Sequence, residues 1–242
     1  MLETLWPRAA VKERPAGAGT QPYVRSYIFM RFAIGILGAA LPLQLFAEPL
    51  FFDGQPFLRG SLSAYYYSGM REFFVGVLWA IGVFLVTYKF AEFSQESRAS
   101  TYAGLAAILV ALFPTGRPGD GFALTPLQAR VGEPTVELIH FGSAGVFIGL
   151  LALISFYFGK FGRTRRRLHY ACAGIIVVAL ALAAFAGITG EPDKGLLVAE
   201  VLAVLAFTAS WLAKVEFDIL FGRSNEAPAE AASGSRGAGA GA

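Results

Sequence analysis

Long apolar runs dominate the pattern of this chain and predict helices that cross a membrane. The clearest run, from Phe73 to Tyr88, holds sixteen residues without a charged side chain. Several runs of this kind in one chain indicate that lipid is the solvent for most of it. Such segments recur at about residues 27–47, 72–90, 100–114, 135–158, 168–187 and 196–214. The sequence therefore predicts an all-α fold, a polytopic membrane bundle of six transmembrane helices.

Polar and low-complexity stretches divide the chain around this bundle. Residues 1–24 are rich in Pro, Gly and Ala and predict a disordered cytoplasmic arm. Residues 222–242 predict a disordered low-complexity tail. The six-helix transmembrane domain then covers residues 25–221. In its first helix Pro42 predicts a kink, because the proline ring removes a backbone donor.

Composition and charge agree with a membrane protein and exclude two other classes. The chain is 55% hydrophobic and 15% charged, whereas a soluble domain carries about 25% charged residues. A formal net charge of +3 gives no support for nucleic-acid binding. The single cysteine, Cys172, excludes an internal disulfide and a Cys-rich metal site.

The distribution of basic residues predicts the orientation. Fifteen of the twenty Lys and Arg residues fall on the side that holds both chain ends. By the positive-inside rule both termini are cytoplasmic, as in a multi-pass protein of the bacterial inner (cytoplasmic) membrane. A cytoplasmic basic run follows helix 4 and consists of Lys160, Arg163, Arg165, Arg166 and Arg167. Its main predicted role is orientation, and binding of anionic lipid is the alternative.

The most distinctive stretch is a polar, aromatic segment from Ser61 to Met70, which we call the apron. It belongs to a long connection on the predicted outer side and leads into helix 2. Arg71 and Glu72 are adjacent charges at that join. Aromatic residues so close to a span are typical of the membrane–water interface.

Two ionisable residues lie where a membrane helix is normally apolar. Glu72, Glu137 and Asp193 are explained by helix N-termini, which favour anions. Glu200 and His140 lie further into their helices, and such groups usually face the bundle interior and have partners.

We therefore predict an outward-facing polar cluster covered by the apron. The predicted ligand-binding residues are Arg71, Glu72, Tyr65, Tyr66, Tyr67, His140 and Glu200. Three interpretations stay open: a ligand pocket, a catalytic site with His140 and Glu200 as acid and base, and a structural clasp that fixes helix register.

A metal site is considered and not predicted. Glu137 and His140 have the Glu-x-x-His spacing of di-iron bundles, but a second pair is missing. Together with Glu200 they would supply three ligands, the minimum usual for catalytic zinc. We predict no metal and no other cofactor.

Three segments together resemble a family of uncharacterised bacterial integral membrane proteins with six predicted helices. They are SLSAYYYSGMREFFVGVLWAIGVFL, then GLAAILVALFPT with HFGSAGVFIGLLALISFY, then LLVAEVLAVLAFTASWLAK. The most specific part is the S-x-S-x-Y-Y motif followed by Arg and an acid. The resemblance implies the six-helix fold and places Arg71, Glu72, His140 and Glu200 at motif positions. It implies no activity.

A more distant analogy is the ceramidase and adiponectin-receptor superfamily of membrane hydrolases. Those proteins use Ser, Asp and three His, including an H-x-x-x-H pair in the last helix. This sequence lacks that pair, which argues against a zinc amidase.

The predicted function is a non-enzymatic binding or accessory protein that holds a lipid or small amphiphile in an outward-facing polar pocket. One alternative is an intramembrane hydrolase or transferase that uses His140 and Glu200. The other is a proton-coupled transporter. The predicted partners are membrane lipids and no nucleic acid, with a homo-oligomer or a complex subunit left open.

Overall fold

The fold is described from a computed structural model of the chain. The described residues are 21–52, 58–88, 94–119, 121–162, 165–189 and 194–221. They form helices and no β-strand, which confirms the all-α fold class. Residues 1–20 of the predicted arm, the predicted tail and Asp193 lie outside the described residues.

Eight α-helices and two 3-10 turns follow one another along the described part of the chain. In order they are α1 (Gln21–Ala40), a 3-10 turn (Leu41–Leu43), α2 (Gln44–Phe51), a 3-10 turn in the apron (Ser63–Tyr67), α3 (Arg71–Thr87), α4 (Gln95–Leu112), α5 (Pro126–Val131), α6 (Glu133–Phe161), α7 (Arg166–Thr189) and α8 (Lys194–Phe221). Five of the six predicted segments correspond to α3, α4, α6, α7 and α8. The first corresponds to α1 and α2 together, which are separated at Pro42.

Four segments are long and apolar enough to cross a membrane. They are Ile28–Phe51, Glu133–Phe161, Arg166–Gly187 and Gly195–Lys214. Their presence is consistent with a membrane protein. The helices α3 and α4 fall outside that set: α3 has only 17 residues, and α4 begins with a polar turn.

The long helices form a closed ring in chain order. Successive long helices pack against each other from α1 through α3, α4, α6 and α7 to α8, and α8 returns to pack against α1. A contact between α6 and α8 crosses the ring. Short connections between α3 and α4, between α6 and α7 and between α7 and α8 favour this arrangement.

The crossing of α3 and α4 depends on two glycines. A Cβ atom at Gly104 would overlap the carbonyl oxygen of Gly82 and would lie 2.7 Å from the backbone nitrogen of Val86. Near this crossing the Ser100 hydroxyl donates to the Leu85 carbonyl at 2.7 Å. Lipid is as apolar as the helix surfaces, so the hydrophobic effect does not drive membrane helices together. They associate instead through close backbone contacts of this kind.

A second close crossing joins α1 to α8. A Cβ at Gly38 would lie 2.6 Å from the Thr208 hydroxyl, and one at Gly35 would overlap the Leu212 side chain. At the other end of the contact the indole Nε1 of Trp211 donates to the Arg31 carbonyl at 2.8 Å.

Another glycine pair, in α6, has the spacing that is typical of close helix contacts. Gly145 and Gly149 in α6 have the small-xxx-small spacing, yet a Cβ at Gly145 meets nothing within 4 Å and one at Gly149 has only ordinary contact with Leu180. The small-xxx-small spacing identifies a helix face that a neighbour can approach closely. Which neighbour approaches it depends on the order of the helices in the ring.

We predict that Gly104→Ala destabilises the bundle by about 1–3 kcal/mol, because the added methyl forces α3 and α4 apart. The matched control is Gly76→Ala on α3, where a Cβ meets nothing within 4 Å. It is expected to leave stability unchanged or slightly higher, since Ala is the better helix former. The measurement is the thermal unfolding midpoint in one detergent. Equal midpoints for the two variants would contradict the close crossing.

Candidate functional site

A buried ion pair lies at the end of the bundle that carries the apron. Glu48 of α2 is fully buried, and the side chain of Arg59 is 7% exposed. The Arg59 Nη2 donates to Glu48 Oε1 at 2.6 Å, and its Nε donates to Oε2 at 2.9 Å. Because Glu48 lies within a candidate span, this charge needs its partner.

The same arginine meets the apron. The Arg59 guanidinium lies 5.8 Å from the ring centroid of Tyr65, which is fully buried. Burial is the main cause that raises the pKa of the Tyr65 phenol, so the phenol is neutral at physiological pH. The apron therefore covers the ion pair with an uncharged aromatic ring.

The apron is also joined to α8. The backbone N–H of Leu62 donates to Glu200 Oε2 at 2.6 Å, and Leu62 precedes the 3-10 turn of the apron. Glu200 is half-buried. Arg59 and Leu62 are three residues apart, so one short stretch of backbone contacts α2 and α8.

Gln44 lies one helical turn before Glu48 on the same face of α2. It is fully buried, and neither its Nε2 nor its Oε1 has a hydrogen-bond partner among the described residues. A buried amide without a partner is costly, because it loses its water and gains nothing in return.

The apron's third tyrosine reaches the connection between α4 and α6. The Tyr67 hydroxyl donates to the Thr115 carbonyl at 2.8 Å and accepts from Gln128 Nε2 at 2.7 Å. Gln128 belongs to the short helix α5, which a capping box with Thr125 stabilises. Burial again raises the pKa of the phenol.

Arg71 and Glu72, predicted to contribute to the cluster, are exposed at the start of α3. The Arg71 guanidinium lies 4.4 Å from the ring centroid of Tyr66 and its Nη2 donates to the Tyr66 hydroxyl at 2.8 Å. These contacts hold Arg71 at the rim of the apron.

His140 of α6 is buried against the end of α4. Its Nδ1 lies 2.6 Å from the Phe113 carbonyl oxygen. A carbonyl only accepts, so Nδ1 carries the proton, and Nε2 in the neutral ring has a lone pair. That Nε2 has no hydrogen-bond partner in the described part of the chain.

The side chains of the predicted cluster thus do not form one network, because they are held by separate partners. Glu200 and Tyr65 are both tied to the stretch around Leu62, whereas Arg71 bonds Tyr66 and His140 bonds Phe113. Glu137 lies against Gly116, where a Cβ would be 2.5 Å from its Oε1.

The three candidate metal ligands do not form a site. No group of three His, Cys, Asp or Glu side chains among the described residues is arranged to hold a metal ion. The Glu-x-x-His spacing of Glu137 and His140 places both on one helix face, but Glu200 on α8 does not complete it.

At the other end of the bundle the basic run lies near the turn between α6 and α7. Arg166 Nε donates to the Gly159 carbonyl at 3.1 Å, and Lys160 lies 5.1 Å from the ring centroid of Phe161. Arg165 and Arg167 are exposed, and Arg163 lies outside the described residues.

Sequence reasoning missed Gln44, Glu48 and Arg59. A signal was present for Gln44 and Glu48. Gln44 lies in the predicted first helix and Glu48 directly follows that helix, so these two polar residues are four apart and share one helix face. Arg59 carried no such signal, because a loop residue's partner depends on the path of the loop.

Comparison with known proteins gives no match. No protein-family model fits the chain, and no curated protein or solved structure is significantly similar to it. The site is therefore interpreted from its own geometry.

We predict that Arg59→Met lowers stability by about 3–5 kcal/mol, because it leaves the Glu48 carboxylate buried without a partner. The double variant Glu48→Gln with Arg59→Met is expected to recover much of the loss. Unfolding midpoints of the two single variants and the double variant in one detergent measure the coupling.

A control breaks a more exposed pair. Arg117 and Glu133 have side chains that are 20% and 24% exposed, and their Nη2–Oε2 distance is 2.9 Å. Arg117→Met should therefore cost less than Arg59→Met. An equal cost would show that burial of the Glu48 pair is not the deciding factor.

Proposed function

We propose that this protein binds a lipid or other small amphiphile at its apron end and acts as a non-enzymatic binding or accessory protein of the membrane. The observation that carries the proposal is the set of polar groups that two apolar spans bury beneath the apron. Glu48 and Glu200 belong to the spans Ile28–Phe51 and Gly195–Lys214. Carboxylates at such positions are costly and usually mark a site.

The surface beside this polar set suits the apolar part of an amphiphile. On α2 the side chains of Phe46 and Leu50 are 59% and 78% exposed, and Phe51 is exposed at the end of the helix. One face of this helix is thus apolar and outward, and the opposite face carries Gln44 and Glu48. A molecule with a polar head and an apolar chain matches both faces.

Arg71 gives the rim of the site a positive charge. Its contacts with Tyr66 leave it exposed, so it can meet an anionic group at the membrane surface. Arginine suits this role because its charge is permanent and its donors are fixed in a plane.

A second candidate function is an intramembrane hydrolase or transferase with His140 as base. The buried lone pair of its Nε2 is the observation that favours it. The first proposal is preferred because His140 and Glu200 are held by different partners on different segments.

The binding proposal predicts that protein extracted in mild detergent retains a lipid by native mass spectrometry. Glu200→Leu removes the acceptor for the Leu62 N–H and is expected to lower the retained fraction several-fold. Glu96→Gln, in the first turn of α4 at the end of the bundle away from the apron, is the matched control and should retain the lipid. A wild-type spectrum without any added mass would reject the proposal, and turnover of the retained lipid would favour the hydrolase.

We further propose that all six predicted segments span the bacterial inner membrane with both termini in the cytoplasm. The helices α3 and α4 are shorter than an ordinary span, and their neighbours in the ring would shield their ends. The basic run then lies on the cytoplasmic face, where it also meets anionic lipid headgroups.

This orientation predicts the accessibility of single cysteines. In a Cys172→Ala background, Gly119→Cys should react with a membrane-impermeant maleimide in intact spheroplasts. Lys160→Cys should react only after the membrane is opened. The reverse pattern would invert the topology, and reaction of both in intact spheroplasts would contradict the single span, α6, that the proposal places between them.

A further inference from the structure

Gln44 is one of several residues at the apron end with a buried polar atom that has no partner among the described residues, and it is the one with two such atoms. Its primary amide offers two donor hydrogens and an acceptor oxygen, and neither heavy atom is used within the described residues. The Gln44 side chain is fully buried without a hydrogen-bond partner, whereas the carboxylate of Glu48, one turn later, is hydrogen-bonded by Arg59 through both oxygens. Packing alone would favour an apolar residue at this position.

The charges around Gln44 restrict what it can bind. Glu48 and Arg59 neutralise each other, and Arg59 is held by hydrogen bonds to both carboxylate oxygens. A phosphate placed beside Gln44 would lie one helical turn from the Glu48 carboxylate and would find Arg59 already engaged, so an anionic group is disfavoured.

An uncharged group that both donates and accepts fits the amide. A hydroxyl satisfies this requirement, because its hydrogen bonds the Gln44 oxygen and its oxygen accepts from the Gln44 nitrogen. Phe51, seven residues after Gln44 and therefore on the same side of α2, is exposed and offers apolar surface to the chain of the same molecule.

We propose that Gln44 recognises the headgroup of the bound amphiphile by hydrogen bonds. This amphiphile is a neutral, hydroxyl-bearing lipid, such as a diacylglycerol, rather than a phospholipid. The inference rests on the proposed function and names the ligand class of that same site.

The test uses three probes with identical acyl chains: 1,2-dioleoylglycerol, its 3-O-methyl ether and dioleoylphosphatidylglycerol. The full-length protein in mild detergent is titrated with each probe and analysed by native mass spectrometry. The wild type should bind the alcohol at least about tenfold more tightly than the ether, which lacks the donor hydrogen, and than the phospholipid, whose hydroxyls come with an anionic phosphate.

The deciding variant is Gln44→Met, which keeps the size of the side chain and removes its polar atoms. It is expected to lose the preference for the alcohol by about tenfold or more. Its lipid-free unfolding midpoint should stay equal or rise, since an unpaired buried amide has been removed. Ser155→Ala is the matched control, because Ser155 is also fully buried with a hydroxyl that has no partner in the described chain, but on α6. It should bind all three probes as the wild type does.

The outcomes separate this inference from the proposed function. If the wild type binds the phospholipid or the ether as tightly as the alcohol, or Gln44→Met keeps the preference, the inference is overturned and the binding function stands. A clearly lower midpoint or a failure of Gln44→Met to fold would assign Gln44 a structural role and also overturn it. If the wild type binds none of the probes and retains no lipid from cells, the proposed function fails with it.

Discussion

A carboxylate within a membrane span has to be paired or neutralised, and the apron end of this protein depends on how Glu48 meets that constraint. Its partner, Arg59, comes from the connection after α2, so the ion pair holds that connection against the helix. Three residues later the Leu62 N–H reaches Glu200 on α8. Tyr67 then joins the apron to the connection that follows α4. The closure of this end therefore follows from the burial of one charge.

The bundle below the apron is held by a different kind of contact. Gly82 and Gly104 bring α3 and α4 together, and Gly38 brings α1 close to α8. Such contacts involve backbone and small side chains, since lipid is as apolar as the helix surfaces and burial alone gives little. The molecule thus has two parts: a scaffold, which is the tightly packed ring of helices, and a candidate site, which is the set of polar groups that the apron covers at one end.

The site contains a feature that would be unfavourable in a purely structural helix. Gln44 is buried without a partner, and on the opposite face of α2 Phe46 and Leu50 are exposed. The proposed ligand, with a polar head and an apolar chain, would compensate for the buried amide and would use the exposed surface. Proteins often keep unfavourable groups of this kind where function needs them.

The sequence by itself determined the all-α membrane class, because long apolar runs and a low share of charged residues are local properties. It also identified the apron and Glu200 as exceptional, since polar groups next to or inside a span require partners. It could not give those partners: Arg59 for Glu48, the Leu62 N–H for Glu200 and the Phe113 carbonyl for His140 are decided by the paths of connections and the order of helices in the ring. The close crossing likewise formed at Gly82 and Gly104 and not at Gly145, because a glycine shows where a helix can be approached, and only the tertiary structure decides which neighbour approaches it.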